Sequence, residues 1–129
     1  MSRPIPPGTK PLFLIRVAMT TGVIVFVLVG WYVSSNRTEL FGSPADLRRL
    51  TTVMYTSVGL AAAAIMALRL RIASVELQAQ RALSVVAWAV GEFAALFGGV
   101  MLFITGDWRP ALPGALVFAL ALAAVRIPE

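Results

Sequence analysis

Four apolar runs constrain the fold of this chain more than any other feature of its sequence. They occupy residues 12–33, 50–68, 84–104 and 111–125, and each holds at most one charged residue. Hydrophobic residues make up 59% of the 129 residues and charged residues 13%, against roughly 45–50% and 25% in soluble globular proteins. A chain of this length cannot bury so much apolar surface in water. The runs therefore predict an all-α, polytopic membrane protein with four transmembrane helices.

The first apolar run is long enough to cross a bilayer, whereas the fourth is short. The first run rises about 33 Å at 1.5 Å per residue, enough to cross a hydrocarbon core of about 30 Å. The fourth reaches only about 23 Å. We expect its helix to begin within the preceding turn, residues 105–110, or to thin the bilayer locally.

The connections between the runs are short and polar. Residues 1–11 hold four of the eight prolines, which predicts an extended cytoplasmic arm that is retained, because no signal-peptide cleavage pattern follows it. Residues 12–129 then form a single transmembrane domain. In the connection 34–49, Ser43 suits a helix cap, and Pro44 and Asp46 suit a first helical turn. Residues 69–83 lack glycine and proline, so the second and third helices are expected to extend beyond the bilayer.

Lysine and arginine counts predict the orientation. The N-terminal arm with Arg16, the connection 69–83 and the C-terminal tail hold seven, whereas the other two connections hold four. Because cytoplasmic loops carry the excess of these residues, both termini are expected in the cytoplasm, with the protein multi-pass in a bacterial inner membrane. The net charge of +5 has the same explanation, and nucleic acid is not an expected partner.

The residue types argue against an enzyme. The chain contains no histidine and no cysteine, which removes the commonest haem and zinc ligands and the usual acid–base catalyst. Its acids and bases lie mostly at the edges of the apolar runs. We expect no catalytic residue, no bound metal and no cofactor.

Small residues recur at a spacing of four in two of the runs, and that spacing places them on one helix face. Because lipid supplies no hydrophobic drive for helices to associate, close approach depends on such residues. They predict a tight antiparallel pair formed by the second and third helices. The third helix contributes Ala87, Gly91, Ala95 and Gly99, and the second contributes Gly59, Ala63 and Ala67.

Glu92 lies near the middle of the third run, within AWAVGEFAALFGG at residues 87–99. A charged side chain at the bilayer centre costs at least about 2.5–3.5 kcal/mol, so it marks a structural or functional role. Three interpretations stay open: a hydrogen bond to a neighbouring helix or subunit, a proton carrier, and a ligand or cation site in a small transporter. Candidate hydrogen-bond partners within the chain are Thr20, Thr21, Tyr55, Thr56 and Ser57.

A family resemblance bears on the second interpretation. Residues 92–98, EFAALFG, resemble the ion-carrying helix of the rotary ATPase proteolipids, the c subunits, in which a carboxylate is followed by four mostly apolar residues and then often by Tyr and Gly. Phe97 and Gly98 stand at the matching positions. The resemblance covers residues 57–104 and implies that Glu92 carries the proton. The family's dense glycine repeat is missing from the second helix, and the first and fourth helices have no counterpart in a two-helix proteolipid.

The remaining candidate residues belong to the membrane interface. Trp31 and Trp108 are predicted interface anchors. Arg16, Arg69, Arg71 and Arg81 are predicted to set the topology and to contact lipid headgroups. Together these features predict a small accessory or structural subunit of a larger, energy-transducing bacterial membrane complex. Its expected partners are membrane lipids and other membrane subunits. The alternatives are a proton-translocating, proteolipid-like protein and a transporter subunit for a small molecule or cation.

Overall fold

The computed structural model describes residues 9–36 and 44–127, and this part of the chain is all-helical, with no strand. Four helices follow one another: α1 is Thr9–Ser35, α2 is Pro44–Ile72, α3 is Leu77–Thr105 and α4 is Ala111–Ala124. The predicted all-α fold with four helices at the four apolar runs is confirmed. Three of these helices, α1 to α3, are long and apolar enough to cross a membrane.

The fourth helix is shorter, with 14 residues, so its axis measures about 21 Å. It does not begin inside the turn, as one expectation had it, but directly after Pro110. Proline supplies no amide donor and suits a position where the helix has not yet closed its first hydrogen bonds. Just before the regular helix, the backbone amides of Ala111 and Leu112 donate hydrogen bonds to the carbonyls of Trp108 and Arg109, respectively.

The other helix boundaries extend beyond the apolar runs. α1 begins at Thr9, so residues 9–11 are helical, although the sequence suggested an extended arm over 1–11. Pro11 is tolerated there because the first amides of a helix have no intrahelical partner. Residues 1–8 and the predicted cap Ser43 lie outside the described residues. α2 and α3 extend past the apolar runs as predicted, and only residues 73–76 separate them.

α3 is the central helix of the bundle. It packs against α1, α2 and α4, and α2 also packs against α4. In the most apolar stretch of each long helix, half of the α3 residues are buried, but only 11% of those of α1. The core forms around Trp88, Met54, Ile65 and Met101, all fully buried. α1 therefore lies on the outside of the bundle, with most of its surface available to lipid or to another protein.

The turn between α3 and α4 is held by its own polar groups. α3 is capped by Gly106, whose φ of 70° is a left-handed conformation that glycine adopts without strain. The Gly106 amide donates to the Leu102 carbonyl at 2.8 Å. The Arg109 amide donates to the Asp107 carboxylate at 3.0 Å. This tight turn, predicted from TGDWRP, fixes α4 antiparallel to α3.

Candidate functional site

Glu92 lies at the edge of the contact surface of α3. Its neighbours Gly91 and Ala95 are buried, whereas Phe93 is 58% exposed. Glu92 itself is half-buried. The carboxylate thus stands where the packed interior of the bundle meets its outer surface, near the middle of an apolar helix.

No hydrogen bond or ion pair within residues 9–36 and 44–127 involves the Glu92 carboxylate. Two of the suggested partners are engaged within their own helices. The Thr20 hydroxyl donates to the Arg16 carbonyl at 2.8 Å, and the Thr56 hydroxyl donates to the Thr52 carbonyl at 2.9 Å. Tyr55 is 47% exposed on the outer side of α2. The inter-helix hydrogen bond suggested for Glu92 is therefore not formed among the described residues.

The small residues predicted on α3 are all buried, and they serve two different neighbours. At Gly91, an added Cβ would lie 2.8 Å from the Ala121 Cβ and 3.2 Å from the Phe118 Cα. The absence of a side chain at Gly91 therefore lets α4 pack close to α3. At Gly99, an added Cβ would lie 2.7 Å from the Phe26 ring. The absence of a side chain at Gly99 therefore lets α1 pack close to α3. The one ridge of small residues therefore brings two helices close to α3.

The small residues predicted on α2 do not form the contact with α3, which corrects the predicted pairing of the two ridges. Gly59, Ala63 and Ala67 are exposed, and an added Cβ at Gly59 would meet nothing within 4 Å. α2 instead turns another face inward, formed by Met54, Val58, Ala61 and Ile65. The physical reason is that the longer side chains of Met54, Val58 and Ile65 offer more atoms for contact with the core than an alanine face would.

The helix α4 packs most closely on α3. An added Cβ at Gly114 would overlap the Ala94 carbonyl oxygen and lie 2.9 Å from the Ala94 carbonyl carbon. At Gly98, it would lie 3.0 Å from the Ala111 Cα. Gly98 belongs to the stretch that resembles the proteolipids, and here it makes room for a fourth helix. Phe97 meets Phe93 edge to face, with ring centroids 6.2 Å apart.

A polar cluster joins α1, α3 and the end of α4, and the sequence reasoning missed it. The Arg16 guanidinium donates to the Leu122 carbonyl at 2.6 Å and stacks over the Trp88 ring, 5.2 Å from its centroid. The buried Trp88 indole donates to the Val125 carbonyl at 2.8 Å. Both carbonyls belong to the last turn of α4 or the residue after it, where helices leave acceptors unsatisfied and carry a partial negative charge. A lone arginine inside an apolar run is the available signal in the sequence, but the same residue also fits a side chain that reaches the membrane interface.

The predicted interface residues lie at the two ends of the bundle. Trp31, at 57% exposed, and Trp108, at 58%, share the end where α1 finishes and α4 begins. At the opposite end, Arg69 and Arg71 are exposed on the last turn of α2, and Arg81 is half-buried near the start of α3. Both groups flank the apolar spans, where interfacial residues are expected.

No group of His, Cys, Asp or Glu that could hold a metal ion occurs in the described part of the chain. On α3 the site offers the half-buried Glu92 carboxylate and, one turn earlier, the Trp88 ring with the Arg16 guanidinium stacked on it. Comparisons with protein families, with curated proteins and with solved structures found no match for this chain.

Proposed function

We propose that this protein is a small, non-catalytic integral membrane subunit that assembles with other membrane helices through the flank of α3 that carries Glu92. It would serve as an accessory or structural component of a larger bacterial membrane complex. An energy-transducing complex is the first class to examine, because residues 92–98 resemble the proteolipids of such machines.

The observation that carries the proposal is the unpartnered carboxylate at membrane depth. Glu92 is half-buried and forms no hydrogen bond or ion pair with the described residues. An intramembrane carboxylate is costly to leave facing lipid, and such groups are generally paired or face the interior of a bundle. A donor from a neighbouring subunit would remove that cost, and the position of Glu92 at the margin of the bundle leaves room for one.

The shape of the bundle supports the same proposal. α1 covers only one side of α3 and is itself largely exposed, with Phe13, Leu28, Val29 and Trp31 each more than half exposed. Small-residue faces also remain free on α2, at Gly59, Ala63 and Ala67. Such faces let a further helix approach closely. The protein therefore offers more than one surface on which a membrane partner could pack.

A second candidate function is proton translocation with Glu92 as the carrier. The partial exposure of its carboxylate favours this candidate, because a carrier must exchange its proton with a neighbour or with water. On α2 the resemblance extends to the small residues Gly59, Ala61 and Ala63. It supports this candidate less, because Ala61 is buried in the core whereas Gly59 and Ala63 are exposed.

Two substitutions separate these functions. We expect Glu92→Gln to retain the partners that copurify from native membranes, since glutamine can still donate and accept hydrogen bonds, whereas Glu92→Leu should lose them. Native mass spectrometry of the extracted assembly gives the chains and their copy numbers. Asp107→Asn, in the exposed turn after α3, is the control that removes a carboxylate away from the flank. Unchanged copurification in Glu92→Leu would contradict assembly through Glu92.

The proton carrier predicts a different result for the same variants. Glu92→Gln should then abolish proton flux in reconstituted vesicles while the assembly stays intact. Labelling by a membrane-soluble carbodiimide gives a further readout, since it modifies protonated carboxylates that are open to lipid. Rapid labelling of Glu92 in the intact assembly would favour the carrier, and protection of Glu92 by a partner would favour the structural subunit.

A further inference from the structure

A groove lies between α1 and α4 at the end of the bundle where α1 begins and α4 finishes. Both helices pack on α3, but they touch each other little. The outer part of this groove is lined by Arg16, Leu122, Ala123, Arg126 and Ile127. An adjoining cleft shares two of these residues, Arg16 and Leu122. It continues along α1 past Val17, Thr20 and Thr21, which lie deeper in the apolar span.

The outer part of the groove is cationic. Arg16 uses one N–H of its guanidinium for the Leu122 carbonyl, and a guanidinium carries five N–H donors. Its stacking on Trp88 holds the group in place at the groove. Arg126 is exposed and forms no hydrogen bond or ion pair with the described residues. Two arginines thus line one cleft with donors to spare, a chemistry that suits a phosphate group.

The groove is also amphipathic along its length. Arg126 lies beyond the end of α4, Arg16 lies one turn inside the first apolar run, and the deeper cleft is mostly apolar. A ligand that fits both parts carries a phosphate at one end and a hydrocarbon chain at the other. This end of the bundle also carries Lys10 and Arg69, which favour an anionic headgroup over a zwitterionic one.

We propose that the α1–α4 groove binds an anionic phospholipid, with the lipid phosphate between Arg16 and Arg126 and one acyl chain along Val17 and Leu122. The site differs from the Glu92 flank and does not depend on the proposed function. It would fix the depth of the short helix α4 in the bilayer, since Arg16 binds both the lipid and the last turn of that helix.

The test measures lipid retention by the purified full chain. Delipidated protein in a mild detergent is titrated with phosphatidylglycerol and, separately, with phosphatidylcholine, and bound lipid is counted by native mass spectrometry. We expect the wild-type protein to bind phosphatidylglycerol more tightly than phosphatidylcholine. Arg126→Gln should bind phosphatidylglycerol about fivefold more weakly than the wild type, which is the effect of one basic residue at a membrane surface. Arg126→Lys should keep most of the affinity. Because Arg126 is exposed, helix content by circular dichroism should stay unchanged.

Arg71→Gln is the matched control, because Arg71 is exposed at the same end of the bundle but does not line the groove. An equal loss of lipid in Arg71→Gln would overturn the proposal, since it would show a diffuse charge effect. Equal retention of the two lipids would overturn it too. Inorganic phosphate is the third arm: displacement of bound phosphatidylglycerol by millimolar phosphate would assign the arginines to a free anion and overturn the lipid site.

Discussion

Two helices of this protein carry the same pattern of small residues and use it differently. On α3, Ala87, Gly91, Ala95 and Gly99 are all buried, with Gly91 close to α4 and Gly99 close to α1. On α2, Gly59, Ala63 and Ala67 are exposed, and larger side chains make the contact with the core. A ridge of small residues therefore permits close approach but does not select a partner. Which helix packs on a ridge depends on how the faces of all four helices fit together in the bundle.

The central position of α3 explains the difference. α3 has three neighbours, so several of its sides must fit another helix, and only small residues allow two helices to come close on adjacent sides. α2 has fewer neighbours to fit and keeps its small residues outside. The contrast predicts that substitutions on α3 destabilise the bundle while equivalent ones on α2 do not.

The largest effect is expected from Trp88→Ala. The substitution removes a fully buried ring, the hydrogen bond to the Val125 carbonyl and the surface on which Arg16 stacks. We expect a loss of roughly 3 kcal/mol in the free energy of unfolding, the low end for a buried tryptophan. The low end applies because detergent and lipid solvate the tryptophan ring in the unfolded wild-type chain. Reversible unfolding in mixed micelles, followed by circular dichroism, measures it. Tyr55→Ala, on the exposed side of α2, is the control and should change stability little.

Gly91→Ala tests the α3 ridge directly. The new methyl would lie too close to the Phe118 backbone and to Ala121, and such overpacking costs about 1–3 kcal/mol. Gly114→Ala should cost at least as much, because the new methyl meets the Ala94 backbone, which cannot rotate away. The same unfolding assay applies. Wild-type stability in both variants would contradict the close α3–α4 packing.

Gly99→Ala should have a smaller effect. The atoms nearest to its new methyl belong to the edge of the Phe26 ring and to the Val27 side chain, and Phe26 is 39% exposed, so the ring has room to move. We expect a loss below about 1 kcal/mol, less than at Gly91, because a rotated side chain relieves most of the overlap. A loss as large as that of Gly91→Ala would place α1 more firmly in the core than its exposure indicates.

Gly59→Ala gives the smallest effect and one of opposite sign. Nothing lies within 4 Å of the new methyl, and alanine is favoured over glycine in a helix interior by up to about 1 kcal/mol. We expect unchanged or slightly raised stability of the isolated chain. If the same variant weakens copurification with other membrane proteins, the exposed α2 face is a contact with a partner. If it lowers the free energy of unfolding of the isolated chain, the proposed difference between the α2 and α3 ridges is wrong.

The sequence alone determined the fold class, the number of helices and their approximate limits. Apolar runs separated by short polar connections leave few alternatives, because a backbone in lipid must satisfy its hydrogen bonds within each segment. The sequence also identified Glu92, Gly91 and Gly99 as unusual, because charge and small size stand out in an apolar run.

Only the tertiary structure decided which faces meet. The spacing of Gly59, Ala63 and Ala67 equals that of the α3 ridge, and no local rule distinguishes a ridge that packs from one that faces outward. The bonds that Arg16 and Trp88 form with Leu122 and Val125 join residues 106 and 37 positions apart. Such contacts depend on where α4 ends against α3, a consequence of the packing of all four helices together.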